Sequence, residues 1–331
     1  MIGSDQFLID PVVGTTVRTP ESGGAGSWVG APNAYYADGV TYLSYRKRRP
    51  RGEGRGYETS LAQSKDGVTF SDIWTIPKEE LGTSSIERCA ITEGGDGYIF
   101  YVSYVDPADR RWCIDAMTAR TVEGISAAVS KRVPVLRAEP LGLEAVKDPV
   151  VVRAAGLYWM YVSCASRTTA AESISDSELH ASEDVYTTGS ISSETGLAVS
   201  IDGIQYEWLG MVFGVQPGRW DAYAARVSSF LRLSGVLLAF YDGSASVQEN
   251  YEERTGLAVA VDPLNIHRVS VTNPWLTSPH ASGSLRYLSA VRSSDLAHLY
   301  YEWACPDGSH ELRCSTFNVA DVASEGAWSG E

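Results

Sequence analysis

The chain has 331 residues, 44% of them hydrophobic and 21% charged, with a formal net charge of −14. That length and apolar content are enough to bury a large core. The acidity argues against nucleic acid as a partner, and no run of about eighteen apolar residues is present to cross a membrane. The residues Met1 to Asp5 lack the basic and then apolar pattern of a secretory leader. Five cysteines (Cys89, Cys113, Cys164, Cys305, Cys314) are scattered without a CxxC pair. This spacing predicts neither a disulfide framework nor a metal site, and it favours a reducing cytoplasm.

In chain order, one unit recurs. A Gly turn and an alternating aromatic run at 39–45 precede Glu58-Thr59-Ser60-Leu61-Ala62-Gln63-Ser64. The same pair returns as 156–162 with Glu194-Thr195-Gly196-Leu197-Ala198-Val199-Ser200, and as 235–241 with Arg254-Thr255-Gly256-Leu257-Ala258-Val259-Ala260. Repeated short aromatic and β-branched strands are the pattern of a propeller. Weaker copies interleave to give five units, which predicts an all-β, five-bladed β-propeller forming a single domain over 1–331. Blade 1 spans 28–77, with strands at 30–37, 40–46, 58–64 and 70–76. Blade 2 spans 86–137, with strands at 98–104 and 112–119. Blade 3 spans 146–213 with its outer strand at 206–213, and blade 4 spans 220–271. Blade 5 spans 284–320, with strands at 299–303 and 312–317. The N-terminal segment 6–14, with a strand at 7–13, is expected to supply the outer strand of blade 5 and close the ring. Turns at Lys65-Asp66-Gly67 and Ile201-Asp202-Gly203 support this reading.

In a propeller the innermost strands line a central tunnel. Their starts share a face with the loops between second and third strands. The long inserts, 46–57, 167–193 and 242–253, all fall in those loops, which marks that face for binding. Alternation places Glu87, Lys147, Arg226 and Arg286 at one depth, with Arg88, Asp148 and Tyr287 one step further. Trp220, Asp221 and His280 stand on the loops leading in, and Glu249 and Asp242 belong to the blade 4 insert. Such a cationic ring suits an anion, because Arg pairs bidentately with carboxylate, phosphate or sulfate and Lys acts as a point charge. A polar tunnel also pairs its own charges, for example Glu87 or Asp148 with Arg226. The basic segment from Arg46 to Arg55 either steers an anion to this face or forms a solvated hairpin tip. The insert at 167–193, rich in Ser, Thr, Glu and Asp, is either a lid or a solvated loop. Tyr35, Trp220, Tyr223 and Tyr287 either stack on a ligand ring or pack between blades.

With first strands reading Ala31-Pro32-Asn33-Ala34 and Lys147-Asp148-Pro149, the chain resembles the five-bladed glycoside hydrolases. These include the family 43 arabinanases and xylosidases and the family 32 fructosidases. Three carboxylates on the inner strands of blades 1, 2 and 3 carry the chemistry there, in motifs of the type Asn-Asp-Pro-Asn, Arg-Asp-Pro and Glu-Cys-Pro or Glu-Gly-Pro. Two of the acids flank the glycosidic bond. Matched by its blade turns, this chain has Ala31, Arg88 and Lys147 at those positions, and a one-residue slip brings in Glu87 and Asp148. The resemblance implies Glu87, Asp148 or Asp221 as the catalytic acid group, with Lys147 as an alternative proton donor. The expected ligand contacts around the tunnel mouth are Asn33, Arg88, Trp220, Arg226, Glu249, His280, Arg286 and Tyr287. No cofactor is expected beyond an ion or water near His280. Two readings stand. One is a glycosidase-like hydrolase acting on a small glycosylated or anionic sugar-like molecule in the central pocket. The other is a non-hydrolytic propeller that binds a sugar or anionic metabolite, or performs different chemistry there.

Overall fold

The computed structural model describes residues 8–50 and 52–324. Gln6, Phe7 and Arg51 therefore lie outside the described residues. After a 3-10 turn at Pro11–Val13 comes β1 (Thr15–Arg18). Blade 1 follows as an antiparallel meander of β2 (Trp28–Ala37), β3 (Val40–Arg48), β4 (Gly56–Ser64) and β5 (Ser71–Pro77). Blade 2 comprises β6 (Ala90–Gly94), β7 (Gly97–Val105), β8 (Trp112–Ala119) and β9 (Val133–Leu136). Blade 3 comprises β10 (Ala145–Ala154), β11 (Leu157–Arg167), β12 (Ile191–Ser200) and β13 (Glu207–Phe213). Blade 4 comprises β14 (Ala224–Leu233), β15 (Val236–Ser244), β16 (Arg254–Ala260) and the short β17 (Ile266–Arg268). Blade 5 comprises β18 (Leu285–Ser293), β19 (Leu296–Ala304) and β20 (His310–Asn318). The inner strands touch in ring order, β2 on β6, β6 on β10, β10 on β14, β14 on β18 and β18 on β2.

The fourth strand of blade 5 is β1, paired antiparallel to β20 from Thr15 opposite Cys314 to Arg18 opposite Leu312. This corrects the expected closing strand at 7–13. Pro11 has no N–H to give a ladder, and the Asp10 carboxylate accepts from Val12 N–H at 2.9 Å, so a turn forms there and the strand begins later. Arg18 then reaches blade 1, donating to the Phe70 carbonyl (3.0 Å) and to Asp72 (2.9 Å).

The apolar core lies between blades. Leu61, Trp74 and Ile76 of blade 1 pack against Ile91, Phe100 and Val102 of blade 2, and similar clusters join blades 2 to 3 and 4 to 5. Leu61, Leu197 and Leu257 sit at equivalent points of third strands, opposite Ser44, Tyr161 and Phe240. No helix among the described residues is long and apolar enough to cross a membrane.

Candidate functional site

Each inner strand slips register near its start, and the slip decides what faces the tunnel. In four blades the ladder skips residues between Gly30 and Asn33, Lys147 and Val150, Val227 and Ser229, and Arg286 and Ser289. In blade 2, Glu87 N–H donates to Ser103 O and the ladder resumes at Ala90. Gly30, Glu87, Lys147, Arg226 and Arg286 therefore share one depth. Ala31, Arg88, Asp148, Val227 and Tyr287 stand one step on, with left-handed φ of 50°, 56° and 55° at Ala31, Asp148 and Tyr287. By this register Asp148, not Lys147, is the blade 3 equivalent of Ala31 and Arg88.

A bulge takes an amide off the ladder, and here a neighbouring blade receives it. Ala31 N–H donates to Glu302 Oε2 (3.1 Å), Arg88 N–H to Asp148 Oδ1 (3.3 Å) and Tyr287 N–H to Asp242 Oδ1 (2.8 Å). Hydroxyls take the other two, Ser103 from Asp148 (3.3 Å) and Thr195 from Val227 (2.8 Å). Three buried carboxylates thus tie blade to blade.

The remaining charges pair across the tunnel mouth. Glu87 receives Arg46 (3.1 Å), Arg48 (3.1 Å) and the Tyr287 hydroxyl (3.3 Å). Arg286 bridges Glu253 and Glu302, each at 2.7 Å, while Arg226 also pairs with Glu253 and Arg46 with Glu302. His310 Nδ1 lies 2.8 Å from Glu302, and its ring stacks on Trp28. Lys147 Nζ lies 3.5 Å from Asp148 and over the rings of Trp112 and Tyr186. Arg88 donates instead to the carbonyls of Pro32 (2.8 Å) and Ser228 (2.7 Å). All these side chains are buried.

Burial alone would raise these acids, but the arginines outweigh it in most cases. Arg46, Lys147 and Arg48 hold Glu87 well below the usual carboxylate range. Burial is likewise outweighed at Glu253, held at about 2 by Arg226 and Arg286, and at Glu302, held well below its ordinary value by Arg286 and Arg46. Asp242 goes the other way. Burial lifts it to about 7, against only partial help from Arg226.

Next to this cluster a cavity of about 400 Å³ opens on the insert-bearing face, lined by Trp28, Arg48, Pro50, Thr187, Val247, Asn250 and Tyr251 among others. The Arg48 guanidinium lies over the rings of both Trp28 (4.8 Å) and Tyr251 (4.3 Å). The Asn250 amide is buried, and neither its Oδ1 nor its Nδ2 has a hydrogen-bond partner among the described residues. Buried polar groups are rarely left this way unless a water or ligand completes them.

Several sequence-predicted residues stand elsewhere. Asp221 is buried in the wall between blades 3 and 4, where Arg268 holds it at 2.6 Å, so its carboxylate does not reach the tunnel mouth. Trp220 donates to the Ser270 carbonyl and packs on Tyr241 in the same wall. Glu249 pairs with Arg254 (3.1 Å) and accepts from Ala245 N–H, as a turn residue does. Asn33 lies beyond the bulge, lining a separate cavity with Tyr35, Val150 and Ser289 and accepting from Ile91 N–H. His280 stands edge-on to Trp303 on the loop before β18. The histidine within the cluster is His310. Arg226 pairs with Glu253 rather than with Glu87 or Asp148. Arg46 and Arg48 are not a solvated tip: alternation along β3 turns them inward, while Lys47 pairs outward with Glu58. Continuing the period of two past Tyr45 would have found both. Trp28, Asn250, Tyr251, Glu302 and His310 carry no local signal of this kind.

The whole chain superposes on solved carbohydrate-enzyme structures. A β-1,2-mannobiose phosphorylase from Listeria innocua, in complex with β-1,2-mannobiose, aligns with a TM-score of 0.59 over 96% of this chain and 96% of its own, at 15% identity. A family 43 glycoside hydrolase from Xanthomonas citri, complexed with xylotriose, gives 0.60 over 91% and 90%, at 11% identity. A glycosyl hydrolase from Bacteroides ovatus gives 0.58 over 94% and 92%, at 15% identity. At these identities the likeness is one of fold, and the protein has the propeller fold of these glycoside hydrolases and phosphorylases. No protein-family model and no curated protein matches the sequence.

Proposed function

We propose that the protein binds a small sugar-like molecule, glycosylated or anionic, in the mouth cavity, and that the central charges are its scaffold rather than a two-carboxylate hydrolytic centre. The observation that carries this is the cavity's chemistry. The Tyr251 ring lines it, the buried Asn250 amide has a donor and an acceptor without a partner among the described residues, and the Arg48 guanidinium, paired with Glu87, lies over the Trp28 and Tyr251 rings. An aromatic ring beside a donor–acceptor pair suits a sugar, and the Arg48 guanidinium suits an acidic substituent. Ala31 and Arg88 stand at two positions where the resemblance implied acids, and Asp148 is committed to the Arg88 amide and Lys147. Five cysteines without a disulfide fit a reducing cytoplasm.

The test is calorimetry with neutral sugars, sugar phosphates and uronates. One class should bind, and Asn250→Ala should weaken it by about 1–3 kcal/mol, the cost of leaving polar groups unmatched. Binding that is indifferent to Asn250→Ala would sink the assignment. A hydrolytic reading has one specific support, the Asp242 carboxyl, which burial keeps protonated close to neutrality as a proton donor must be. Brisk turnover of nitrophenyl glycosides, lost in Asp242→Asn, would establish it instead.

A further inference from the structure

Above the centre, three inserts meet on one carboxylate. Asp184, in the insert of blade 3, is 2% exposed. Its Oδ2 is ion-paired with Arg55 Nη2 (3.3 Å) in the insert of blade 1 and accepts from the Tyr251 hydroxyl in the insert of blade 4. Arg55 also donates to the carbonyls of Ser182 (3.4 Å) and Glu183 (3.2 Å), and its guanidinium lies over the Trp112 ring. Asp184 Oδ1 and Arg55 Nε are buried without a hydrogen-bond partner among the described residues. The backbone at this junction is left-handed at Arg55 (φ 49°), Glu183 (φ 57°) and Tyr251 (φ 75°). Each is a costly conformation for a residue with a Cβ, held only because its surroundings impose it.

Tyr251 belongs to both places. Its hydroxyl holds Asp184, while its ring lines the mouth cavity against Arg48. A carboxylate held by an arginine and a phenol, with an unused guanidinium donor beside it, has the chemistry of a bound acid ligand.

We propose that Arg55 and Tyr251 form a carboxylate site that the chain's own Asp184 occupies, and that a uronic-acid-type sugar entering the mouth cavity displaces Asp184 and frees the insert at 168–190. This rests on the reading of that cavity as a sugar pocket and names the substituent the pocket selects. Exchange of one carboxylate for another keeps Arg55 paired, so no buried cation is stranded. Asp184 moves into water, and the left-handed residues are released. A neutral sugar gives Arg55 no replacement charge and leaves the insert closed.

Two measurements test it separately. In Asp184→Ala, proteolytic cleavage within 168–190 should rise and stay high, while acetate alone, by filling the vacated site, should raise the thermal midpoint where chloride does not. Combining Arg55→Ala with Asp184→Ala should abolish the rescue. Failure of acetate to stabilise this variant would overturn the carboxylate site. Calorimetry with galacturonate and galactose then follows the wild type, Asp184→Ala and the shape-preserving Asp184→Asn. Galacturonate should bind Asp184→Ala about tenfold more tightly than the wild type, because apparent affinity scales with the fraction of vacant sites, and galactose should not respond. Unchanged or weaker galacturonate binding in both variants would overturn the displacement. Acetate rescue without binding of either sugar would instead overturn the sugar-pocket reading and leave the carboxylate site standing.

Discussion

Asp242 accepts the Tyr287 amide at 2.8 Å but forms no ion pair among the described residues, since Arg226 is drawn to Glu253 and Arg88 to two carbonyls. Burial therefore sets its behaviour, raising it from the ordinary 3.8 to about 7. Between those pH values the folded chain holds a proton the unfolded chain has released, so stability falls as pH rises from about 4 to about 7. The substitution Asp242→Asn keeps an acceptor for the Tyr287 amide and removes the ionisable group. Urea midpoints of the wild type and Asp242→Asn should agree below about pH 4, and the variant should lead by a few kcal/mol at pH 8. Parallel curves across that window would show that the carboxyl is not buried as described. At this scale the sequence was half legible. Period-two alternation located Glu87, Lys147, Arg226 and Arg286 because they lie on inner strands. Their partners Arg46, Glu253, Glu302 and His310 come from second and third strands and the loops joining them, and no local pattern links them to the tunnel.

Among the elements, the third strands were the clearest in the sequence, because their Leu61, Leu197 and Leu257 fill the same position against each second strand. Bulges were not legible, since what stabilises them is distant in sequence, as Glu302 is from Ala31. Nor was the closing strand, because the apolar run before it is interrupted by the turn that Asp10 and Pro11 nucleate. Blade 1 adds a requirement of its own. Gly30 stands where other blades place Glu87, Lys147, Arg226 and Arg286, and a Cβ there would meet Glu302 Oε2 at 2.3 Å and Cγ at 2.5 Å. Glu302 cannot swing aside without breaking its contacts to Arg286, His310 and the Ala31 amide. Gly30→Ala should therefore destabilise the fold by about 1–3 kcal/mol, the usual cost of overpacking a filled site. A thermal midpoint equal to that of the wild type would show that Glu302 is less constrained than its contacts imply.

For the whole molecule, the repeat made the architecture readable. The site draws on residues from Trp28 to His310, so it exists only once the ring is closed. The net charge of −14 did not foretell a centre rich in arginine, because those cations are paired inside while the excess acid is spread over the remaining chain. Closure depends on β1, which completes blade 5 and passes the connection on to blade 1 through Arg18. Deleting residues 1–18 would expose the edge of β20, remove the bonds to Phe70 and Asp72, and uncover the Tyr301 hydroxyl that now donates to the Pro11 carbonyl. The cluster at the mouth would feel this directly, since Glu302 and His310 lie on β19 and β20 and tie to Ala31 and Arg46 across the same seam. The truncated chain should melt roughly 3–4 °C lower, as a loss of about 2–3 kcal/mol does at this size. Ligand binding at the mouth should weaken with it. An unchanged melting midpoint would mean that the contacts between β18 and β2 hold the ring shut without the N-terminal strand.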